Sequence, residues 1–262
     1  MNYQTLLVTE STQSLTVTLH RPAQRNSFNA LLLTEMHQVL DRAEDNSTCR
    51  FVILQGENNI FCTGMDFREI IKNNTTTNAN VVYSSEYMAL LKRFTSTSKI
   101  IISILDGQVL AGGVGVVAAS DLVFSTARTQ FSLSEALWGL LPACVIPFLI
   151  RRIGFQKAYH MTLTTQTVSA SDALTMGLID ELADDVQISL KRVLLRLSRI
   201  NEETVSNLKT YFRKMWIISE AMEKTAIVEI NRLMTSPRVQ NNIKNFVEHQ
   251  QFPWETTMKE NM

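Results

Sequence analysis

Apolar and β-branched residues alternate or run unbroken through "TLLVTE" (5–10) and "SLTVTLHRP" (14–22), which predicts two strands joined by the polar turn "STQ". The period then changes. In "SFNALLLTEMHQVLDRAEDN" (27–46), Leu32, Met36, Val39, Leu40 and Ala43 recur at helical spacing, and acids with Asn mark the end. "RFVILQG" (50–56) is a short, continuously apolar strand closed by Gly56. Strand, helix, strand predicts a right-handed parallel crossover.

The alternation continues. "FCTGMDF" (61–67) predicts a turn centred on Gly64, and "KNNTTTNANVV" (72–82), almost without apolar residues, a surface loop. "YSSEYMALLKRFTST" (83–97) is amphipathic, "KIIISILDG" (99–107) is a buried strand, and "QVLAGGVGVVAASD" (108–121) fits a buried helix that tolerates glycine. "LVFST" (122–126) is a further strand. "QFSLSEALWG" (130–139) predicts a helix start, with Ser132 as cap and Glu135 three residues on, where a capping-box carboxylate belongs. Beyond about residue 145 strand signals fade. "PFLIRRIGFQKAYHMTLT" (147–164), "SASDALTMGLID" (169–180), "ISLKRVLLRLSRI" (188–200), "ETVSNLKTYFRKMW" (203–216) and "AMEKTAIVEINRLMT" (221–235) all predict helices. Ser169 or Ser171 caps the second of these, and Gly177 lies near its end. The pattern is an α/β domain with mainly parallel strands, followed by a helical C-terminal third. No Pro/Gly/Ser-rich linker separates the two, so the third is expected to pack onto the core or onto a neighbouring subunit.

Composition narrows the function classes. Lys plus Arg equals Asp plus Glu at 25 each, without the basic excess that nucleic-acid binding calls for. The longest apolar run, "VLAGGVGVVAA" (109–119), is too short to span a bilayer. "MNYQTLLVTESTQ" lacks a basic region followed by a long apolar run, so no signal peptide is expected. Cys49, Cys62 and Cys144 are odd in number and dispersed, which predicts reduced thiols in a cytoplasmic protein rather than disulfides or a zinc site. His20, His37, His160 and His249 are well separated, and no metal cluster is expected.

Candidate chemistry lies at two glycine turns. "AGGVG" lacks the G-x-G-x-x-G spacing of a dinucleotide loop. "FCTGMD" and "VLAGGVG" each put glycine where a buried strand gives way to loop or helix, so backbone can approach a ligand closely. The second turn also opens a helix, whose free amides favour negative charge. Two such amides converging would make an oxyanion hole; spacing leaves equally open that the glycines serve only tight turns and helix packing.

At these residues the chain resembles the crotonase (enoyl-CoA hydratase/isomerase) superfamily. "LTVTLHRPAQRNSFNALLLTEM", "FVILQGENNIFCTGMDFREI", "KIIISILDGQVLAGGVGVVAASDLVFSTARTQFSLSEALWGLLP" and "RRIGFQKAYHMTLTTQTVSASDALTMGLIDEL" follow the family pattern in order. "FSLSEALWGLLPACVIPFLIRRIGFQKA" and "HQQFPWE" further resemble the HMG-dehydratases of polyketide β-branching cassettes. The resemblance implies a spiral core of β-β-α turns over residues 1–195 and a helical trimerisation region over 196–262. It implies oxyanion amides at Met65 and Gly112 and a catalytic acid at Glu135. The family's other glutamate falls on Gly115, a departure. Ala23, Gln24 and Arg25 match the loop that holds the nucleotide end of CoA in relatives; with a carrier-protein substrate that loop would meet phosphopantetheine or the carrier itself.

The implied activity is dehydration of a 3-hydroxy-3-methylglutaryl thioester on an acyl carrier protein to the 3-methylglutaconyl thioester, without cofactor, in a homotrimer or hexamer. With one carboxylate retained, Glu135 would take the C2 proton and return it to the departing hydroxyl on the same face. Asp66, Glu69 and Glu86 are candidates to fill the second acid's place; Tyr83, Tyr87 and Lys92 to meet the distal carboxylate; Arg151 and Arg152 to meet a carrier or to pair within a trimer. Competing expectations are a CoA-thioester hydratase, an enoyl isomerase, a decarboxylase, a non-catalytic thioester-binding scaffold, and RNA binding, against which the neutral charge speaks.

Overall fold

The computed structural model describes residues 3–72, 77–216 and 219–255. Its first elements follow the hydrophobic pattern. β1 (Leu6–Glu10) and β2 (Ser14–Leu19) form an antiparallel hairpin. A 3-10 turn (Pro22–Gln24) leads to α1 (Ala30–Asp45), whose cap is Asn29, its side chain accepting from the Leu32 amide at 2.9 Å. α1 buries Leu32, Leu33, Met36, Val39, Leu40 and Ala43, the stripe its spacing predicts.

A unit of long strand, short strand and helix then repeats. β3 (Phe51–Gln55), β4 (Ile60–Cys62), α2 (Phe67–Lys72) and α3 (Thr77–Ser96) form one turn. β5 (Ile100–Leu105), β6 (Gln108–Leu110) and α4 (Gly112–Ala119) form the next. β7 (Leu122–Ser125), β8 (Gln130–Ser132) and a 3-10 turn (Glu135–Trp138) begin a third, which α5 (Ile146–Ile153) and α6 (Phe155–Thr164) follow. β9 (Val168–Ser169), α7 (Ala170–Met176) and β10 (Glu181–Leu182) lead to α8 (Val186–Leu197), α9 (Glu202–Met215), α10 (Glu220–Met234) and α11 (Pro237–His249). The long strands build a six-stranded sheet, β1-β2-β3-β5-β7-β10, and the short ones a four-stranded sheet, β4-β6-β8-β9. Each ββα turn therefore contributes one strand to each sheet, which is the spiral the resemblance implies. β2, β3, β5, β7 and β10 run parallel.

Continuous apolar strands are buried on both faces. Val52, Leu54, Ile101 and Leu105 join the main core with α1 and α4. Phe51, Ile53, Ile100, Ile102 and Ile104 face the other way and are covered by Leu190 of α8 and Val205 of α9. Two buried cations tie α9 down: Lys99 meets Glu202 at 2.8 Å, and Lys209 meets Asp121 at 2.6 Å. α10 lies on α3, joined by Lys92–Glu223 at 2.7 Å, and α11 lies on α2 and the 3-10 turn. The helical third thus packs on the core of its own chain.

Four local expectations are corrected. The loop expected over 72–82 is helical from Thr77, while residues 73–76 lie outside the described residues; a helix nucleated by the packed residues beyond it propagates through a polar stretch at little cost. The single helix expected over 147–164 breaks at Gly154, whose φ of 80° ends α5. The buried helix expected over 108–121 starts only after a three-residue strand, β6. "QFSLSEALWG" is strand then 3-10 turn: Ser132 ends β8 and its hydroxyl donates to the Thr165 carbonyl at 3.4 Å, and no side chain caps the turn. The capping-box role of Glu135 is therefore excluded. β9, β10 and α11 had no distinct signal, the strands being two residues each. Ser169, not Ser171, caps α7, and Cys49, Cys62 and Cys144 are buried free thiols.

Candidate active site

The two glycine turns meet. After β4, Gly64 adopts φ 89°; its carbonyl accepts from the Phe28 amide at 2.7 Å and the Asp66 amide donates back to the Phe28 carbonyl at 2.9 Å. This parallel bridge leaves the intervening Met65 N–H pointing away from Phe28. After β6, Ala111 takes the positive-φ conformation 49°, −121°, and its amide donates to the Ser132 carbonyl at 2.9 Å. Such a backbone for alanine costs on the order of 1–3 kcal/mol and persists only where surroundings enforce it. The bond to Ser132 ties the turn down, and Gly64 leaves room for it: a β-carbon there would lie 2.6 Å from the Ala111 Cβ and 3.2 Å from the Gly112 nitrogen. Gly112 opens α4, so its amide has no helical acceptor. Among the described residues neither the Met65 nor the Gly112 N–H finds a partner, and both line one cavity of about 450 Å³.

Glu135 lines the same cavity at the start of the 3-10 turn. Its Oε2 is buried without a hydrogen-bond partner. Loss of water, partly offset by a backbone hydrogen bond, pushes the carboxyl from its ordinary 4.5 up to about 7. A group of that kind both accepts and releases a proton near neutral pH.

The remaining sequence candidates divide. Ala23, Gln24 and Arg25 line the cavity rim, where the Arg25 guanidinium donates to Gln108. Asp66 lines it too but is paired with Arg21 at 2.8 Å. Glu69 accepts from the Ala30 amide at 3.1 Å, and Glu86 stands beside His37 at 3.7 Å; neither lines the cavity. Lys92 is paired with Glu223 and also lies outside. Tyr83 and Tyr87 do line it, with their hydroxyls donating to the carbonyls of Phe28 at 3.4 Å and Gly112 at 2.5 Å. Arg152 is committed to the Leu178 and Ser120 carbonyls and Asp180, and Arg151 lies over Trp216 at 5.1 Å, so both brace α5 rather than offering a free docking surface. Gly115 is buried behind the cavity wall.

Two features escaped the sequence reading. An aromatic wall closes the cavity: Trp138 contacts Phe67 at 5.0 Å and Phe246 at 5.1 Å, and Phe252 stacks on Trp254 at 4.8 Å. "HQQFPWE" carried this as a motif, but no periodicity assigns it to Trp138, over a hundred positions away. The other is Arg68, near the start of α2 and at the cavity; among the described residues nothing engages its guanidinium.

Residues 10–257 match the enoyl-CoA hydratase/isomerase family model. The bacillaene synthase dehydratase PksH of Bacillus subtilis (strain 168) is 36% identical over 255 residues, covering 97% of this chain and 98% of that protein. The enoyl-CoA hydratase EchA19 of Mycobacterium tuberculosis is 29% identical over 72% of each. A crystal structure of the polyketide biosynthesis enoyl-CoA hydratase from Bacillus subtilis superposes with a TM-score of 0.89 at 34% identity, covering 96% of this chain and all of that one (100%).

Two stability measurements follow from this geometry. The Glu135 carboxyl binds its proton more tightly folded than unfolded, so its own contribution to stability falls as pH rises from about 4.5 to about 7 and is level above that, by about 3 kcal/mol. Glu135→Gln therefore raises the melting temperature relative to the parent at pH 8, by several degrees, and the gain shrinks toward pH 4.5; a gain independent of pH contradicts the burial. Gly64→Ala combines an unfavourable φ with overlap on Ala111 and lowers the melting temperature by several degrees, whereas an unchanged value contradicts the contact between the turns.

Proposed function

The chain belongs to the enoyl-CoA hydratase/isomerase family, and from that premise we propose that it dehydrates a 3-hydroxy-3-methylglutaryl thioester, carried by an acyl carrier protein, to the 3-methylglutaconyl thioester in polyketide β-branching. One observation carries the reading. Two partnerless amides and one carboxyl poised near pH 7 face the same cavity, and no second unpaired acid among the described residues lines it.

In this mechanism the Met65 and Gly112 amides hold the thioester oxygen, and a single donor of that kind contributes on the order of 3 kcal/mol to a developing oxyanion. Glu135, ionised, removes the C2 proton, and the electron pair passes to the oxygen as an enolate. The pair returns to form the C2–C3 double bond as the C3–O bond breaks. Glu135 gives its proton to the departing hydroxyl, water leaves, and the carboxylate is regenerated. Both transfers use one carboxylate, so they occur on one face. The sequence is redox-neutral and calls for no cofactor. The wall of Trp138, Phe246, Phe252 and Trp254 keeps bulk water from the enolate.

The substrate handles follow. Ala23, Gln24 and Arg25 at the rim meet the phosphopantetheine arm. Arg68 pairs with the distal carboxylate of the acyl group, in place of the excluded Lys92. Exposed apolar residues on α6 (Phe155, Tyr159, Leu163) and on α8 and α9 (Ile188, Leu195, Tyr211, Phe212) support assembly into a homotrimer or hexamer. No helix among the described residues is long and apolar enough to cross a membrane.

Mass analysis of a 3-hydroxy-3-methylglutaryl-loaded carrier is expected to show loss of one water. No mass change, loss of carbon dioxide, or tight binding without turnover would instead indicate an isomerase, a decarboxylase or a scaffold, and preference for crotonyl-CoA a conventional hydratase. Glu135→Gln is expected to lower kcat by about 100-fold or more, and kcat/KM of the parent to rise with pH to a plateau above about 7. Unimpaired dehydration by Glu135→Gln contradicts the mechanism. Arg68→Met is expected to raise KM for this substrate about tenfold, as loss of a charge-assisted pair does, with partial recovery in Arg68→Lys; an unchanged KM removes Arg68 from the site.

A further inference from the structure

Gly112 and Gly115 stand three residues apart, on one face of α4. That face is occupied by a side chain from α3. Tyr87, only 6% exposed, lays its ring against Gly112, where a β-carbon would meet the Tyr87 hydroxyl at 3.4 Å and Cζ at 3.5 Å. At Gly115 a β-carbon would run into the same hydroxyl oxygen, and would lie 3.0 Å from Val145 Cγ2 and 3.3 Å from Leu91 Cδ1. The hydroxyl therefore fills the space beside position 115, and Asp66, Glu69 and Glu86 are all directed elsewhere. It donates to the Gly112 carbonyl at 2.5 Å, and Phe28 backs the ring with centroids 5.6 Å apart.

We propose that Tyr87 is a positioning residue that pins Gly112 through its carbonyl and so aims the Gly112 N–H at the acyl oxygen, and that glycine at 115 exists to admit the Tyr87 hydroxyl. The inference rests on the oxyanion role of Gly112 given above. Its physical ground is local. Gly112 has no side chain to restrict its torsions, and it follows Ala111, whose backbone is held out of its preferred regions. As the first residue of α4 its carbonyl accepts from the next helical turn, and the Tyr87 hydroxyl adds a side-chain bond to that same carbonyl, at the end of the helix where the oxyanion turn begins. Burial keeps the phenol neutral, its ionisation pushed well above the ordinary value by loss of water, with Cys62, Cys144, Tyr83 and Glu135 adding to it. A neutral phenol donates to the carbonyl at all working pH values and does not compete with Glu135 for protons. The tyrosine thus takes the room of a second acid and supports a site that works with one.

The test uses acetoacetyl-CoA, whose enolate has its own ultraviolet absorbance and reports the oxyanion amides without turnover. The parent is expected to bind it with a strong enolate band. Tyr87→Phe is expected to lose the band about tenfold while Kd stays within about threefold and the protein remains folded. Gly115→Ala displaces the hydroxyl and is expected to show the same loss. The double variant is expected to be no worse than either single one, because both break the same bond. A full band in Tyr87→Phe, or losses that multiply in the double variant, overturns the inference. A missing band in the parent with the acetoacetyl thioester bound, on CoA or loaded on the carrier, overturns the oxyanion reading beneath it. Failure of the carrier assay with the band intact counts against the proposed substrate alone and leaves the positioning role supported.

Discussion

Everything chemical in this fold depends on the contact between Gly64 and the Ala111–Gly112 turn. The two turns end short strands of neighbouring ββα units, and those strands pair in parallel, β4 with β6. Parallel pairing sets their ends side by side. Absence of a side chain at 64 lets the turns close on each other, with Ala111 at positive φ and its amide bonded to the Ser132 carbonyl. The consequence is two amides, at Met65 and Gly112, that have no acceptor among the described residues and line one cavity. An amide without a protein acceptor is left to whatever enters the cavity, and in the proposed reaction that is a thioester oxygen.

Glu135 obeys the same logic from the opposite side. Its carboxyl is held where water is scarce, with Oε2 unpaired and its ionisation moved up to about 7. A second carboxylate at close range would split the pair's titration and make one of them permanently acidic or neutral. The glycine at 115, filled by Tyr87, avoids this. The C-terminal helix α11 and the segment after it complete the enclosure, since Phe246, Phe252 and Trp254 converge on Trp138. The tail is therefore part of the site as well as part of the fold.

The long elements were legible in the sequence because their signals are periodic. The α1 stripe, the continuously apolar β3 and β5, and the glycine turns all stand where pattern and turn chemistry put them. The family resemblance supplied the spiral, Met65, Gly112, Glu135 and the rim residues Ala23 to Arg25, which the structure brings to one cavity. What was illegible is tertiary. A capping-box spacing at Ser132 and Glu135 reads the same whether the segment is a helix or a strand followed by a 3-10 turn; only pairing of β8 with β6 decides it. Two-residue strands carry too few positions for alternation. The partners of Lys92, Arg152 and Asp66 lie far along the chain or across elements, so free cations and acids could not be told from paired ones.

The claim at the centre is that one carboxylate serves both proton transfers from one face. Its most direct measurement is the fate of deuterium in the two C2-deuterated epimers of the 3-hydroxy-3-methylglutaryl carrier substrate. Glu135 acting alone loses deuterium from the epimer in which it is syn to the 3-hydroxyl and retains it in the other. Loss from the anti epimer would require a second base on the opposite face and would contradict the account.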